Sequence, residues 1–242
     1  MLFNMRHVAL LFLAAAAAAA ATHPHVEFST AAGPLRLTAI RHASFLLEAG
    51  GKVIHVDPWS QADYAGLPKA DILLITDIHG DHFDLKAIDQ VRRPDTLIIA
   101  PPAVAEKLQG VRVLRNGESA DAGPFHIEAV PMYNLRRGPA EGQVYHPRGR
   151  GNGYVLTYGG FRLYISGDTE GTPEMRSLQN ISAALICMNL PYTMPPEEAA
   201  EAVKAFRPGV VIPYHYRGSD LTVFARALEG TGIEVKLLDW YH

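Results

Sequence analysis

With one cysteine, Cys187, in 242 residues, the chain can form neither an internal disulfide nor a cysteine-built zinc site. Cys187 sits in the apolar run AALICM, which reads as a buried strand and makes the thiol inert rather than nucleophilic. A basic surface is lacking too. Lys and Arg number 22 against 25 Asp and Glu, for a formal net charge of −3, so nothing resembles a nucleic-acid-binding face. Beyond the N-terminus no stretch is long and apolar enough to span a bilayer. There is no Gly-x-Ser-x-Gly turn, which leaves covalent serine catalysis little to build on. No internal repeat is apparent.

The first 21 residues, MLFNMRHVALLFLAAAAAAAA, differ from all that follows. Arg6 and His7 open them with positive charge, Val8 to Ala21 are apolar, and small residues fill the end. This is the layout of a secretory signal peptide over 1–21, leaving a mature chain of 22–242 that is secreted or periplasmic. An uncleaved anchor or a buried helix is the plainer alternative. The mature chain, in a sequence 48% hydrophobic and 19% charged, suits one globular domain.

Residues 22–33 read as a linker entering the fold. LRLTAI, SFLLEA and KVIHVD are strands, the last two joined by a Gly50-Gly51 hairpin turn. DILLIT (71–76) is a continuous apolar run, hence a buried strand, and Asp84 is placed to cap a short helix after it. TLIIA (96–100) is another strand, and PAVAEKLQG a helix closed by Gly110. FHIEAV (125–130) alternates as a half-buried strand should. GYVLTY and FRLYIS flank a second Gly-Gly hairpin at 159–160. AALICM is a strand, PPEEAAEAVKAF a helix opened by prolines, VVIPY a strand, LTVFARALEG a helix and EVKLLDW a final strand. Strand pairs followed by strand–helix alternation, twice over, argue for sheets covered by helices.

The chemistry gathers at strand ends. DILLIT runs into Asp77-Ile-His79-Gly80-Asp81-His82, four potential metal ligands in six residues. Imidazole and carboxylate suit zinc and neighbouring first-row metals. A polar loop capping a helix would account for the acids but not for two histidines.

This segment resembles the His-x-His-x-Asp-His motif of the metallo-β-lactamase superfamily, with Asp77 where the first histidine stands. HASFLLE and VIHVDPW resemble that superfamily's opening hairpin and Asp-Pro turn, YISGDT its Gly-Asp-Thr segment, and IPYHY the segment of its last histidine. The nearest likeness is to the branch holding ascorbate-phosphate lactonase and N-acyl phosphatidylethanolamine phospholipase D. The resemblance implies an α/β fold, a four-layer αββα sandwich, with two metals between the sheet edges.

It also implies a ligand set. Asp81, His82, Asp168 and His215 surround one metal, Asp168 reaches both, and His79 with Asp77 belongs to the other. Asn134, in VPMYN, falls where a further histidine is usual, and His146 is the candidate replacement, an exposed loop histidine being the alternative. The metal implied is zinc, at two sites of unequal strength, with manganese or iron as alternatives. His42 and Asp57 are expected beside the centre, orienting ligands. Arg136, Arg137, Arg148 and Arg150 lie in a glycine-rich stretch that could form a lid and hold a phosphate or carboxylate, a solvated charged loop being the blander reading. His55 reads as a hydrogen-bonded strand residue. Trp59 and Tyr64 either wall a pocket or pack in the loop.

The activity implied is hydrolysis of a small ester, lactone or phosphodiester by a metal-bound hydroxide, the metal lowering the pKa of water to about 7. Asp81 would orient the hydroxide. The expected partner is a small-molecule substrate, with an anionic one as an option. The rival is a non-catalytic metal- or ligand-binding protein with an altered centre, supported by the departures at Asp77 and Asn134.

Overall fold

The structure is a computed structural model that describes residues 23–242; the expected signal segment, 1–21, lies outside the described residues. The described residues form two seven-stranded sheets built on one plan. In the first, β1 (His25–Thr30), β2 (Gly33–Arg41), β3 (Ser44–Ala49) and β4 (Lys52–Val56) pair antiparallel. Then β4, β5 (Ala70–Leu74), β6 (Arg92–Ala100) and β7 (Val111–Val113) run parallel. The second repeats this. β8 (Ser119–Ala122), β9 (Phe125–Met132), β10 (Gly151–Tyr158) and β11 (Phe161–Ile165) are antiparallel, and β11 runs parallel to β12 (Ala183–Cys187), β13 (Val210–Tyr214) and β14 (Glu234–Val235). Helices α1 (Leu85–Val91) and α2 (Pro102–Ala105) belong to the first half, and α3 (Pro173–Arg176), α4 (Pro196–Phe206) and α5 (Leu221–Ala227) to the second.

This is the αββα sandwich the resemblance implies. Apolar residues of both sheets, among them Leu37, Phe45, Ile54, Leu74, Tyr154, Leu163 and Tyr214, bury one continuous core. A smaller cluster, including Leu46, Leu73, Ile88 and Val104, fills the space under α1 and α2. Local signals are met where expected. Asp84 accepts from the backbone N–H groups of Lys86 and Ala87 at 3.0 and 3.3 Å. Gly50 and Gly51 take φ of +57° and +69°, the left-handed pair a two-residue hairpin turn needs.

Three expectations are corrected. Residues 25–30, read as part of a linker, form β1, paired with β2 from His25↔Thr38 to Thr30↔Gly33. It is an edge strand with one buried residue, Phe28, and its short polar–apolar alternation between two polar flanks reads as linker. The PAVAEKLQG helix is regular only over Pro102–Ala105, after which the backbone turns. The final strand pairs only over Glu234–Val235, because Trp240 leaves the sheet line to bury itself in the core beside Phe45 and Tyr214.

Candidate metal centre

Most of the chemistry-bearing side chains sit just past a strand's C-terminal end: His42 after β2, Asp57 after β4, residues 77–82 after β5, Asp168 after β11, His215 after β13; His146 and Arg150 instead lead into β10. Parallel strands place such ends along one rim of the sandwich. The two rims are stitched by backbone bonds, from His215 N–H to the His42 carbonyl at 3.1 Å and from Asn152 N–H to the Thr76 carbonyl at 2.8 Å. His42, Asp57 and His215 adopt φ of +56°, +45° and +48°. That region costs an L-residue roughly 1–2 kcal/mol, and such strain clusters where tertiary structure over-determines a site.

The buried carboxylate of Asp168 is the hub. His82 Nε2 and His146 Nε2 each lie 3.3 Å from its Oδ2, and His215 Nε2 lies 3.4 Å from its Oδ1. His215 Nε2 is also 3.3 Å from Asp81 Oδ2, which His42 Nε2 meets at 3.2 Å. Neighbours dictate the tautomers. Asp57 Oδ2, which can only accept, takes the His82 Nδ1–H at 2.8 Å and the Thr76 hydroxyl at 2.6 Å. His82 Nε2 is thereby turned toward Asp168. Asn134 uses its amide N–H groups on Glu170 and the Tyr192 carbonyl, so its Oδ1 accepts from His146 Nδ1–H at 2.6 Å and from His146 N–H at 2.9 Å. Asn134 therefore orients His146 and has no oxygen to spare for a metal.

Charge follows geometry. Burial works against an ionised Asp168, yet the His215 and His82 rings hold its carboxyl well below the usual range. Burial likewise opposes charge on His82, but Asp168, Asp57 and Asp81 raise its pKa well above that of a free imidazole. Carboxylates that favour a proton at Nε2 favour a metal ion there equally. Burial lowers His42 to about 4 despite Asp81. It is thus neutral, donating from Nε2 to Asp81 and accepting at Nδ1 from the Tyr241 hydroxyl at 2.7 Å.

These residues fit a divalent metal. His82 Nε2, His146 Nε2 and Asp168 Oδ1 are all buried without a hydrogen-bond partner, a cost normally avoided and one that a metal ion removes. His82, Asp168 and His215 can offer ligand atoms within 4.8 Å of one another, as can Asp77, His79 and His146.

The family model described as beta-lactamase superfamily domain matches residues 36–215. The chain belongs to the metallo-β-lactamase superfamily. A UPF0173 metal-dependent hydrolase of Aeropyrum pernix is 32% identical over 202 residues, covering 75% of this chain and 82% of the relative. A Parabacteroides distasonis crystal structure assigned as a metal-dependent hydrolase is 44% identical, with a TM-score of 0.85, covering 90% of this chain and 99% of that one. Igni18, a metallo hydrolase from Ignicoccus hospitalis, is 25% identical with a TM-score of 0.69, over 85% and 95% of the two chains.

In this metallo-hydrolase the arginines around 136–150 are tied to carboxylates. Arg136 and Arg137 bind Glu198. Arg148 binds Glu174 and covers the Tyr133 ring, away from the cleft, so the expected substrate contact at Arg148 is not brought to the centre. Arg150 forks onto Asp77, Nε to Oδ1 at 3.1 Å and Nη2 to Oδ2 at 3.0 Å. His55 bonds the Pro68 carbonyl at 2.8 Å, and Tyr64 packs in the core and bonds Trp59. Cys187 is buried, its thiol pushed up to about 12.

A cleft of about 630 Å³ opens on His79, Asp81, His146, Asp168 and His215. Leu190, Pro191, Tyr192 and Tyr145 line one side, and Arg217 another, its guanidinium 5.8 Å over Trp59. Sequence reasoning missed Arg217. Its position two residues past His215 was the available signal.

Proposed function

We propose that this metallo-hydrolase cleaves a small ester, lactone or phosphodiester in that cleft, with zinc as its metal. The reading rests on unpartnered ligand atoms around Asp168 at the cleft floor. Bound there, a divalent ion supplies Lewis acidity and lowers the pKa of water. His82, His215, Asp168 and Asp81 are the residues placed to hold it. Asp81, open to the cleft, orients the attacking water and accepts its proton at the carboxylate, while the His42 Nε2–H keeps Oδ2 in place. Exposed Leu190 and Tyr192 suit an apolar acyl or alkyl group. Arg217 makes no ion pair among the described residues and suits an anionic one.

Residues 1–21 are proposed as a cleaved export signal and the mature protein as periplasmic or secreted, on the charge and apolar pattern alone.

Zinc-loaded protein assayed on a panel of esters, lactones and phosphodiesters tests the activity. One class should be turned over, Asp81→Asn should reduce kcat at least a hundredfold, and Arg217→Ala should raise KM selectively for anionic substrates. No turnover across the panel by protein with its metal in place would leave a non-catalytic binding protein as the better reading.

A further inference from the structure

We propose that Arg150 is a resident cation in the Asp77–His79 half of the centre, so that this hydrolase holds one metal tightly and an arginine stands in place of the second. The inference rests on the metal-binding part of the function proposed above.

The two halves of the centre differ in what their ligand atoms are doing. Around Asp168, His82 Nε2, His146 Nε2 and Asp168 Oδ1 are buried and unpartnered, while His215 Nε2 lies 3.3 Å from Asp81 Oδ2. Around Asp77 the ligand atoms are taken. Arg150 Nε meets Oδ1 at 3.1 Å and Nη2 meets Oδ2 at 3.0 Å. His79 Nδ1 faces the same Oδ2 at 2.9 Å, and its Nε2 lies 3.3 Å from Arg150 Nη2. Asp77, His79 and Arg150 thus form a closed loop in which both carboxylate oxygens and both ring nitrogens already face partners. Of that half's three candidate ligands, only His146 has a nitrogen without a partner.

The fold places the guanidinium there deliberately. Arg150 immediately precedes β10, whose second residue, Asn152, bonds the carbonyl of Thr76, the residue before Asp77. Gly151 permits this approach, since a Cβ there would meet Met132 Cε at 2.2 Å and the Thr76 carbonyl at 2.9 Å. Asp77 is fully buried and Arg150 mostly so, at 0% and 22% side-chain exposure, and a bidentate guanidinium–carboxylate pair is the strong form of such contacts. A divalent ion entering this half must break the fork or sit within a few ångströms of a permanent positive charge, and at low effective dielectric either choice weakens binding by orders of magnitude. Asp77 in place of histidine follows from the same pairing, because an imidazole would leave Arg150 without its partner.

Zinc per chain after exhaustive dialysis, and titration calorimetry of any second equivalent, test this without reference to turnover. Wild-type protein should retain one zinc and bind a second weakly. Arg150→Gln should tighten the second site at least tenfold and leave the first unchanged. Arg150→Lys, which keeps the charge and loses the fork, should leave the second site weak. It also serves as the test should Arg150→Gln fail to fold by near-ultraviolet circular dichroism. Two equally tight ions in the wild type, or an unchanged or weakened second site in Arg150→Gln, would overturn the inference while leaving the hydrolytic reading intact. Two matched sites in Arg150→Lys would overturn it too. Binding of no zinc would defeat both, whereas one tight zinc without turnover would defeat only the hydrolytic reading.

Discussion

Asp57 and Asn134 each take the Nδ1 proton of a histidine, His82 and His146 respectively, and so aim the opposite nitrogen at Asp168. Their chemistry differs in a measurable way. Asp57 serves His82, a ligand of the proposed tight site. Asp57→Asn puts an amide N–H against either Thr76 N–H or His82 Nδ1–H, and should weaken the first zinc by about 10–100-fold, as loss of such orienting partners does elsewhere. Asn134→Leu removes the partner of His146, along with the bonds to Glu170 and the Tyr192 carbonyl, but leaves His82 in place and should cost that ion less. Competition with a chromophoric chelator measures both. Equal losses would mean that His146 shares the tight ion. Cys187 supplies an independent check on burial. With its thiol pushed up to about 12, it stays protonated at neutral pH, so a thiol reagent should label no cysteine in native protein and one per chain after denaturation.

At the scale of elements, the site depends on how closely β10 approaches the end of β5. Gly151→Ala introduces the clash with Met132 and the Thr76 carbonyl. It should destabilise the fold by about 1–3 kcal/mol, in the range of small-to-large core changes, as urea denaturation would read. The stretch between β9 and β10 is pinned rather than loose. Buried Glu170 accepts from Arg137 N–H at 2.8 Å and from Asn134 Nδ2 at 3.2 Å, and Glu198 on α4 takes both Arg136 and Arg137. Glu198→Ala should release that stretch, seen as faster tryptic cleavage at Arg136 or Arg137 with little change in global stability. Unchanged cleavage would mean that Glu170 alone holds it. The glycines and arginines of this stretch read equally well as a lid or a solvated loop, because carboxylates from α4 and from the segment after β11 hold it, and neither is nearby in sequence.

For the molecule as a whole, the candidate metal centre lies between two sheets whose rims meet across His42–His215 and Asn152–Thr76. A bound ion is therefore an inter-sheet tie. Zinc at a hundred times its Kd stabilises the native state by about 2.7 kcal/mol, so a strong chelator should lower Tm by roughly 5–10 °C in a domain of this size. No shift on chelation would mean that the sheets are held by the apolar core alone. The export proposal is also tested on the whole chain. Intact mass of the extracytoplasmic protein should correspond to a start near Thr22.

Strand positions and the ligand cluster after β5 were legible in the amino-acid order because they arise from short-range causes, whereas the αββα plan followed from the motif resemblance. Burial on both faces makes continuous apolar runs, a two-residue turn needs left-handed residues, and ligands on one loop are neighbours in sequence. β1 escaped because an edge strand buries little. Across longer separations the sequence names candidates without pairing them. It offered four arginines between 136 and 150 and two candidates, Asn134 and His146, for one ligand position. Only sheet order and register brought Arg150 onto Asp77, 73 residues away, set Asn134 behind His146, and spent the other arginines on Glu198 and Glu174. Residue types in a local pattern declare a metal centre; which atoms remain free to bind the metal depends on which side chains the packed sheets bring against them.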